Sequence, residues 1–185
     1  MKKQKPTWKD IKAILSKKTE SEILKLVGDL YSLSEENKTF IHSRYAIGVN
    51  PLEPYKNIIS EALYPDVMYN EPIQLSVGRK AISDYFKATQ DKMGQIELMF
   101  HYLETGNQFT LDLGDIDESF YSSLESTFDR ILSSLEKQHK TTLMDYLPRL
   151  ESIVESVCGM GWGYYDYLHE TLNEYKIKHL SSINE

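Results

Sequence analysis

The chain has 185 residues, of which 41% are hydrophobic and 26% are charged, and these values are typical of one globular domain with its own core. It contains no run of about 20 apolar residues, which a membrane-spanning helix requires, so we do not expect a membrane partner. One cysteine, Cys158, excludes an internal disulfide, and the lysines at the start precede no apolar stretch, so we expect a cytoplasmic protein.

The net charge of −7 is unevenly distributed along the chain. Residues 1–18 contain seven lysines and one carboxylate, whereas residues 93–175 contain fifteen carboxylates and four basic residues. An acidic surface repels phosphates, so we do not expect nucleic acid to be a partner, with the lysine-rich start as the one exception. Residues 1–6 are predicted to be a flexible basic N-terminus because they offer little to bury.

Apolar residues recur at helical spacing in nearly every segment, and alternation of useful length is almost absent. The sequence therefore predicts an all-α fold of about eight helices, packed as successive antiparallel pairs in one domain. This domain covers residues 7–178, and residues 179–185 form a C-terminal tail.

The first half of the chain contains clear helix boundaries. Thr19 with Glu22 forms a capping-box pattern, Ser34 precedes another helix that Gly48 ends, and Asn50-Pro51 restarts the next. Residues 64–75 contain two prolines and are predicted to be a loop, after which Ser76 reopens helix.

The second half begins with a segment, 94–103, that is apolar almost all round and belongs at the centre of the domain. Gly106 is predicted to end this helix, and residues 107–114 to form a linker. Asp115, with Glu118 at capping-box spacing, is predicted to be the N-cap of a helix that runs to about residue 137. Three later features are a helix over 142–157 that Pro148 kinks or starts, a glycine-rich turn over 159–163, and a last helix.

Five segments of the chain carry a family resemblance, namely Lys80 to Asp84, Glu97 to Gly106, Phe109-Thr110, Gly114 to Tyr121 and Gly161 to Asp166. The most specific are the Gly-Asp-Ile-Asp-Glu run at 114–118 and the Gly-Trp-Gly turn at 161–163. Together these segments resemble a bacterial family of uncharacterised proteins, domain of unknown function 6155. Tyr165 stands where the family's last motif has a histidine, so the resemblance implies no imidazole role there. It implies a fold and names no reaction.

Acidic and histidine side chains form two candidate metal-binding sets. Glu97, His101 and Glu104 fall on one face of a helix, and Asp166, His169 and Glu170 do so on the last helix. Helical bundles build two-metal sites from such facing groups, but neither set has the Glu-x-x-His spacing of those proteins. A solvated acidic face explains both sets as well, so we assign no metal and no cofactor.

Other candidates have structural interpretations too. The acidic run that contains Asp115 and Asp117 does not have the central glycine of a twelve-residue calcium loop, so helix capping is the simpler explanation for these two residues. Cys158 lies in an apolar stretch and is predicted to be a buried structural residue. Trp162 and the thirteen tyrosines indicate an aromatic-rich core, although some could line a binding surface. The candidate binding residues are Glu97, His101, Glu104, Asp115, Asp117, Tyr121, Trp162 and Asp166.

These features favour a non-enzymatic protein-interaction module with an acidic surface, whose partner is another protein or a second copy of the chain. The alternative is a metal-dependent enzyme with a carboxylate and histidine site between helices. A nucleic-acid-associated protein that binds through its basic start is a third hypothesis.

Overall fold

The computed structural model describes residues 5–48, 50–69 and 71–180. About 77% of the residues in these ranges are helical, and no strand forms among them. The all-α prediction is confirmed, with nine α-helices in these ranges rather than about eight. The helices are α1 (Trp8–Leu15), α2 (Glu20–Leu33), α3 (Glu35–Arg44), α4 (Glu53–Leu63), α5 (Leu75–Thr89), α6 (Lys92–Leu113), α7 (Glu118–Leu135), α8 (Lys140–Ser156) and α9 (Tyr164–Leu180), with a short 3-10 helix at Val67–Tyr69.

Side-chain caps set the starts of α2 and α3, as the sequence predicts. The Thr19 hydroxyl accepts a hydrogen bond from the Glu22 backbone amide at 3.3 Å, and the Glu22 carboxylate accepts one from the Thr19 amide at 2.9 Å. The Ser34 hydroxyl accepts from the Asn37 amide at 3.2 Å. These bonds satisfy amides that have no partner within their own helix.

The core is built around α6, which packs against α4, α5 and α7. Its apolar residues point in all directions, so it is covered on several sides, as its sequence predicts. Leu98, Phe100, Tyr102 and Leu103 have no exposed surface. Farther along the chain, α9 packs against α7 and α8, and α3 packs between α2 and α5. None of the helices in the described ranges is long and apolar enough to cross a membrane.

The predicted helix end at Gly106 is wrong, because α6 continues to Leu113 and includes the predicted linker. A Cβ atom on Gly106 would lie 2.6 Å from Leu124 Cδ2, so this glycine permits close packing of α6 on α7. Phe109 and Thr110, beyond the glycine, are buried. Tertiary packing of these residues outweighs the low helix propensity of glycine.

Three further predictions need correction or fall outside the described residues. Helix α8 runs without interruption across Pro148, with buried Leu143 and Leu150 on either side, so the proline does not mark its start. Cys158 is exposed in the turn after α8 rather than buried. Helix α9 extends to Leu180, which includes the start of the predicted tail, while residues 1–4 and 181–185 lie outside the described ranges.

Candidate functional site

Glu97 and Glu104, the two carboxylates of the first candidate metal set, both bind Arg149. The arginine Nε and Nη2 atoms donate to the two oxygens of Glu104 at 2.7 and 2.9 Å, and Nη1 donates to Glu97 at 2.8 Å. A guanidinium group matches carboxylate geometry and keeps its proton in proteins, so the positive charge at this position is permanent. The sequence contains no local signal for the cluster because Arg149 lies on α8, far along the chain.

Aromatic side chains extend the same cluster. Tyr146 donates a hydrogen bond to Glu97 at 2.6 Å and stacks on Phe100 with ring centroids 5.3 Å apart. The Arg149 guanidinium carbon lies 4.3 Å from the Phe100 ring centroid, a distance typical of a cation–π contact. Burial and the hydrogen bond to Glu97 raise the pKa of Tyr146 to about 12, so its hydroxyl remains a donor. The cluster therefore connects α8 to α6.

His101 does not join these carboxylates. Its Nε2 atom lies 2.8 Å from the Ser60 hydroxyl and 3.2 Å from the backbone oxygen of Lys56, both on α4. A carbonyl oxygen only accepts, so the hydrogen bond to Lys56 requires the tautomer with the proton on Nε2, in which this atom has no lone pair for a metal. Burial lowers the pKa of His101 below its ordinary value, which favours the neutral ring.

The three residues of this candidate set thus have two different structural roles. Arg149 forms ion pairs with both carboxylates, and the histidine ring faces α4. Within residues 5–48, 50–69 and 71–180, no group of three His, Cys, Asp or Glu side chains is arranged to hold a metal ion. The cluster is best described as a packing and ion-pair contact between helices.

The two most specific motifs, at 114–118 and 161–163, lie next to each other in the structure. The Asp115 carboxylate accepts a hydrogen bond from the Tyr121 hydroxyl at 2.6 Å. Its other oxygen lies 2.7 Å from the position that a Cβ on Gly161 would occupy, so a larger residue would displace it. The Tyr121 ring also packs on Tyr164, with centroids 5.0 Å apart. Asp115 therefore joins the turn before α7 to the turn before α9.

The predicted N-cap role of Asp115 is wrong, because Asp117 caps α7 instead. Asp117 has an extended backbone, and its Oδ1 atom accepts from the Phe120 amide at 2.9 Å. Hydrogen bonds from the Ser119 hydroxyl and the Phe120 amide lower the pKa of Asp117. The helix therefore begins two residues later than predicted, and the Asp115 carboxylate accepts from the Tyr121 hydroxyl instead.

We expect Asp117→Ala to lower the melting temperature by roughly 2–4 °C, because the Phe120 amide loses its acceptor. Asp117→Ser should restore most of this loss, since serine caps almost as well as aspartate. Glu118→Ala is the matched control, because it removes from the same first turn an exposed carboxylate that makes no hydrogen bond within the described residues. Thermal unfolding of the three variants tests the assignment, and equal losses for Asp117→Ser and Asp117→Ala would contradict it.

Trp162 and Asp166 both lie at the surface beside these turns. Trp162 is 60% exposed and has a left-handed backbone with φ of +61°, between Gly161 and Gly163. Asp166 lies exposed in the first turn of α9, where a carboxylate suits the positive end of the helix dipole. The structure places Asp115, Tyr121 and Trp162 in one region, whereas Glu97 and Glu104 belong to the contact with Arg149.

The structure also shows exposed apolar residues on α1 and α2, where the sequence predicts no binding residue. Neither helix has a buried residue, although both are amphipathic. We define the N-terminal apolar surface as the large apolar residues on these helices that are more than about one-third exposed. They are Trp8, Ile11 and Ile14 on α1, and Leu24, Leu26, Val27, Leu30 and Leu33 on α2.

This surface is large for a single chain. Exposed fractions range from 39% for Leu26 to 75% for Leu33, with Trp8 at 69%. Summed over the two helices, these eight residues expose on the order of 800 Å² of mostly apolar surface. In the described part of the chain, α2 packs closely only on α3, and α1 packs closely on no other helix. The helical periodicity of α1 and α2 predicts an apolar face but does not reveal that the rest of the chain leaves it uncovered.

The chain was compared with family models, curated proteins and solved structures, and none of the three comparisons found a match. Membership of domain of unknown function 6155 therefore stays a prediction, and the function has to be argued from the chain's own surfaces.

Proposed function

We propose that this chain is a non-enzymatic protein-interaction module that binds another polypeptide through its N-terminal apolar surface. The observation that carries the proposal is the exposure of apolar residues along both α1 and α2. Exposed patches of this size mark interaction sites, because leaving them in water costs free energy that a partner recovers. The proposed location is the cytoplasm, where a net charge of −7 would keep the chain soluble.

The shape of the surface favours a helical partner. Two amphipathic helices, consecutive in the chain, present apolar side chains at helical spacing, and such faces bind other helices through interlocking side chains. Nucleic acid does not suit α2, where three carboxylates outnumber a single lysine and repel phosphates.

The metal-dependent enzyme remains the alternative, but the geometry of its site counts against it. Glu97 and Glu104 are bridged by Arg149, and His101 is directed to Ser60 and Lys56. A divalent cation would have to displace the guanidinium group and compete with its permanent charge.

Affinity capture with matched variants tests the proposed function. The bait is the full chain, incubated with an extract of its host, and bound polypeptides are identified and then purified for direct binding. We expect Leu26→Ser/Leu30→Ser to weaken binding at least about tenfold, since central apolar contacts dominate interface affinity. The matched control is Leu111→Ser/Leu113→Ser, whose parent residues on α6 are similarly exposed, at 51% and 46%. Equal loss of binding in both variants, or in neither, would contradict the assignment to α1 and α2.

A further inference from the structure

We propose that the partner is a second copy of this chain, and that two copies pair about a two-fold axis with α1 of each against α2 of the other. This inference rests on the proposed function and specifies its partner. It depends on the exposed area and on the distribution of charge between the two helices.

The area fits a symmetric dimer. A stable interface buries about 800 Å² per partner, and the N-terminal apolar surface exposes an area of that order. A two-fold axis brings the same patch of each copy together, so one apolar surface supplies both halves of the interface.

The charges of the two helices are complementary. Residues 5–18, which include α1, carry five lysines and one aspartate, whereas α2 carries three carboxylates and one lysine. Lys18 already pairs with Glu22 at 2.7 Å, but Lys9, Lys12, Glu20 and Asp29 make no ion pair within the described residues. Placing α1 of one copy along α2 of the other brings a net positive segment beside a net negative helix, and the two-fold axis repeats the arrangement.

Charge also favours a second copy over an anionic membrane. The lysines and Trp8 of α1 suit a lipid surface, but α2 carries the larger part of the apolar surface, and its three carboxylates would be repelled by anionic lipid. The partner that complements the charges of both α1 and α2 is a protein with one acidic helix and one basic helix. This chain has both.

Sedimentation of the full purified chain over a range of concentrations tests dimer formation. We expect a reversible dimer for the parent chain and at least about 100-fold weaker association for Leu30→Asp, because a charge would enter the apolar contact. Leu111→Asp is the matched control, since Leu111 is 51% exposed and Leu30 is 47% exposed. It should dimerise like the parent, and circular dichroism would verify that each variant is folded.

A charge-exchange experiment tests the arrangement of the helices. Lys9→Glu/Lys12→Glu gives a chain with two acidic helices, and Glu20→Lys/Asp29→Lys gives a chain with two basic helices. Each variant alone should dimerise at least about tenfold more weakly than the parent, because like charges face each other. A mixture of the two should form the heterodimer with near-parent affinity, because α1 of each then meets an α2 of opposite charge.

The possible outcomes separate this inference from the proposed function. Dimerisation of the parent without recovery in the mixture would overturn the pairing of α1 with α2. A parent chain that stays monomeric at all concentrations would overturn self-association. In that case a different polypeptide, captured by the parent and lost in Leu26→Ser/Leu30→Ser, would still support the proposed function. Binding to vesicles of anionic lipid by the monomeric parent would instead favour the membrane.

Discussion

Replacing Gly78 with alanine is expected to destabilise the chain by about 2 kcal/mol, because overpacking a core costs about 1–3 kcal/mol. Gly78 is buried on α5, and a Cβ there would lie 2.6 Å from Leu63 Cδ1 and 2.8 Å from Tyr102 Cε2. Neither neighbour moves easily, because both side chains are fully buried and the Tyr102 hydroxyl is hydrogen-bonded to Ser123 at 2.8 Å. The gain in helix propensity from glycine to alanine, about 0.5–1 kcal/mol, offsets only part of this cost.

The matched control for this substitution is Gly28→Ala. Gly28 lies inside α2, and a Cβ on it would have open space for 4 Å around it, so alanine should stabilise the chain by about 0.5–1 kcal/mol. Urea unfolding of the parent and both variants measures the two opposite changes. If Gly78→Ala were as stable as Gly28→Ala, the close contact of α5 with α4 and α6 would be wrong.

Replacing Arg149 with methionine is expected to cost about 2 kcal/mol, less than the 3–5 kcal/mol for breaking a fully buried ion pair, since the cluster is about one-third exposed. Glu97 and Glu104 would lose their charged hydrogen-bond donors, and Phe100 would lose its cation–π contact. Arg149→Lys should recover part of the loss, because lysine keeps the charge but cannot donate a paired set of hydrogen bonds. Arg130→Met, at an exposed arginine on α7, is the control and should change stability by less than about 0.5 kcal/mol.

At acidic pH, the free energies of unfolding of Arg149→Met and of the parent should differ by less than they do at pH 7. Burial raises the pKa of Glu97, but hydrogen bonds from Tyr146 and Arg149 outweigh burial and hold that pKa below 4.5. A lowered pKa in the folded chain contributes stability above the ordinary carboxyl pKa, and this contribution is lost as the pH falls through the lowered value. Urea unfolding at pH 7 and in acid measures the difference. A difference that is constant with pH would show that Glu97 gains nothing from Arg149.

Local sequence patterns predict most of the helices because the start of a helix depends mainly on residues that are close together in the sequence. The capping box of Thr19 and Glu22 needs only contacts within one turn, and it forms as predicted. The predictions for Gly106 and Asp115 are wrong for the opposite reason. Leu124 packs against Gly106, and Gly161 lies against Asp115, so distant parts of the chain decide their roles.

The candidate functional residues are harder to predict than the helices. The spacing of Glu97, His101 and Glu104 places them along α6, but it does not show that Arg149 pairs with the carboxylates from α8. Amphipathic periodicity likewise predicts an apolar face on α2 without showing what covers it. In this chain α3 covers only part of that face, and this is visible only when the helices are packed together.

Hydroxyl-radical footprinting in the host cell tests most directly whether the N-terminal apolar surface is an interaction surface. Oxidation is compared between the chain in cells and the purified chain at high dilution, with Met68 and Tyr69, which are 85% and 79% exposed, as internal references. We expect Trp8, Leu30 and Leu33 to be protected several-fold in cells while the references keep their reactivity, because a bound polypeptide excludes solvent from the interface core. Equal oxidation of these three residues in cells and in dilute solution would contradict the account.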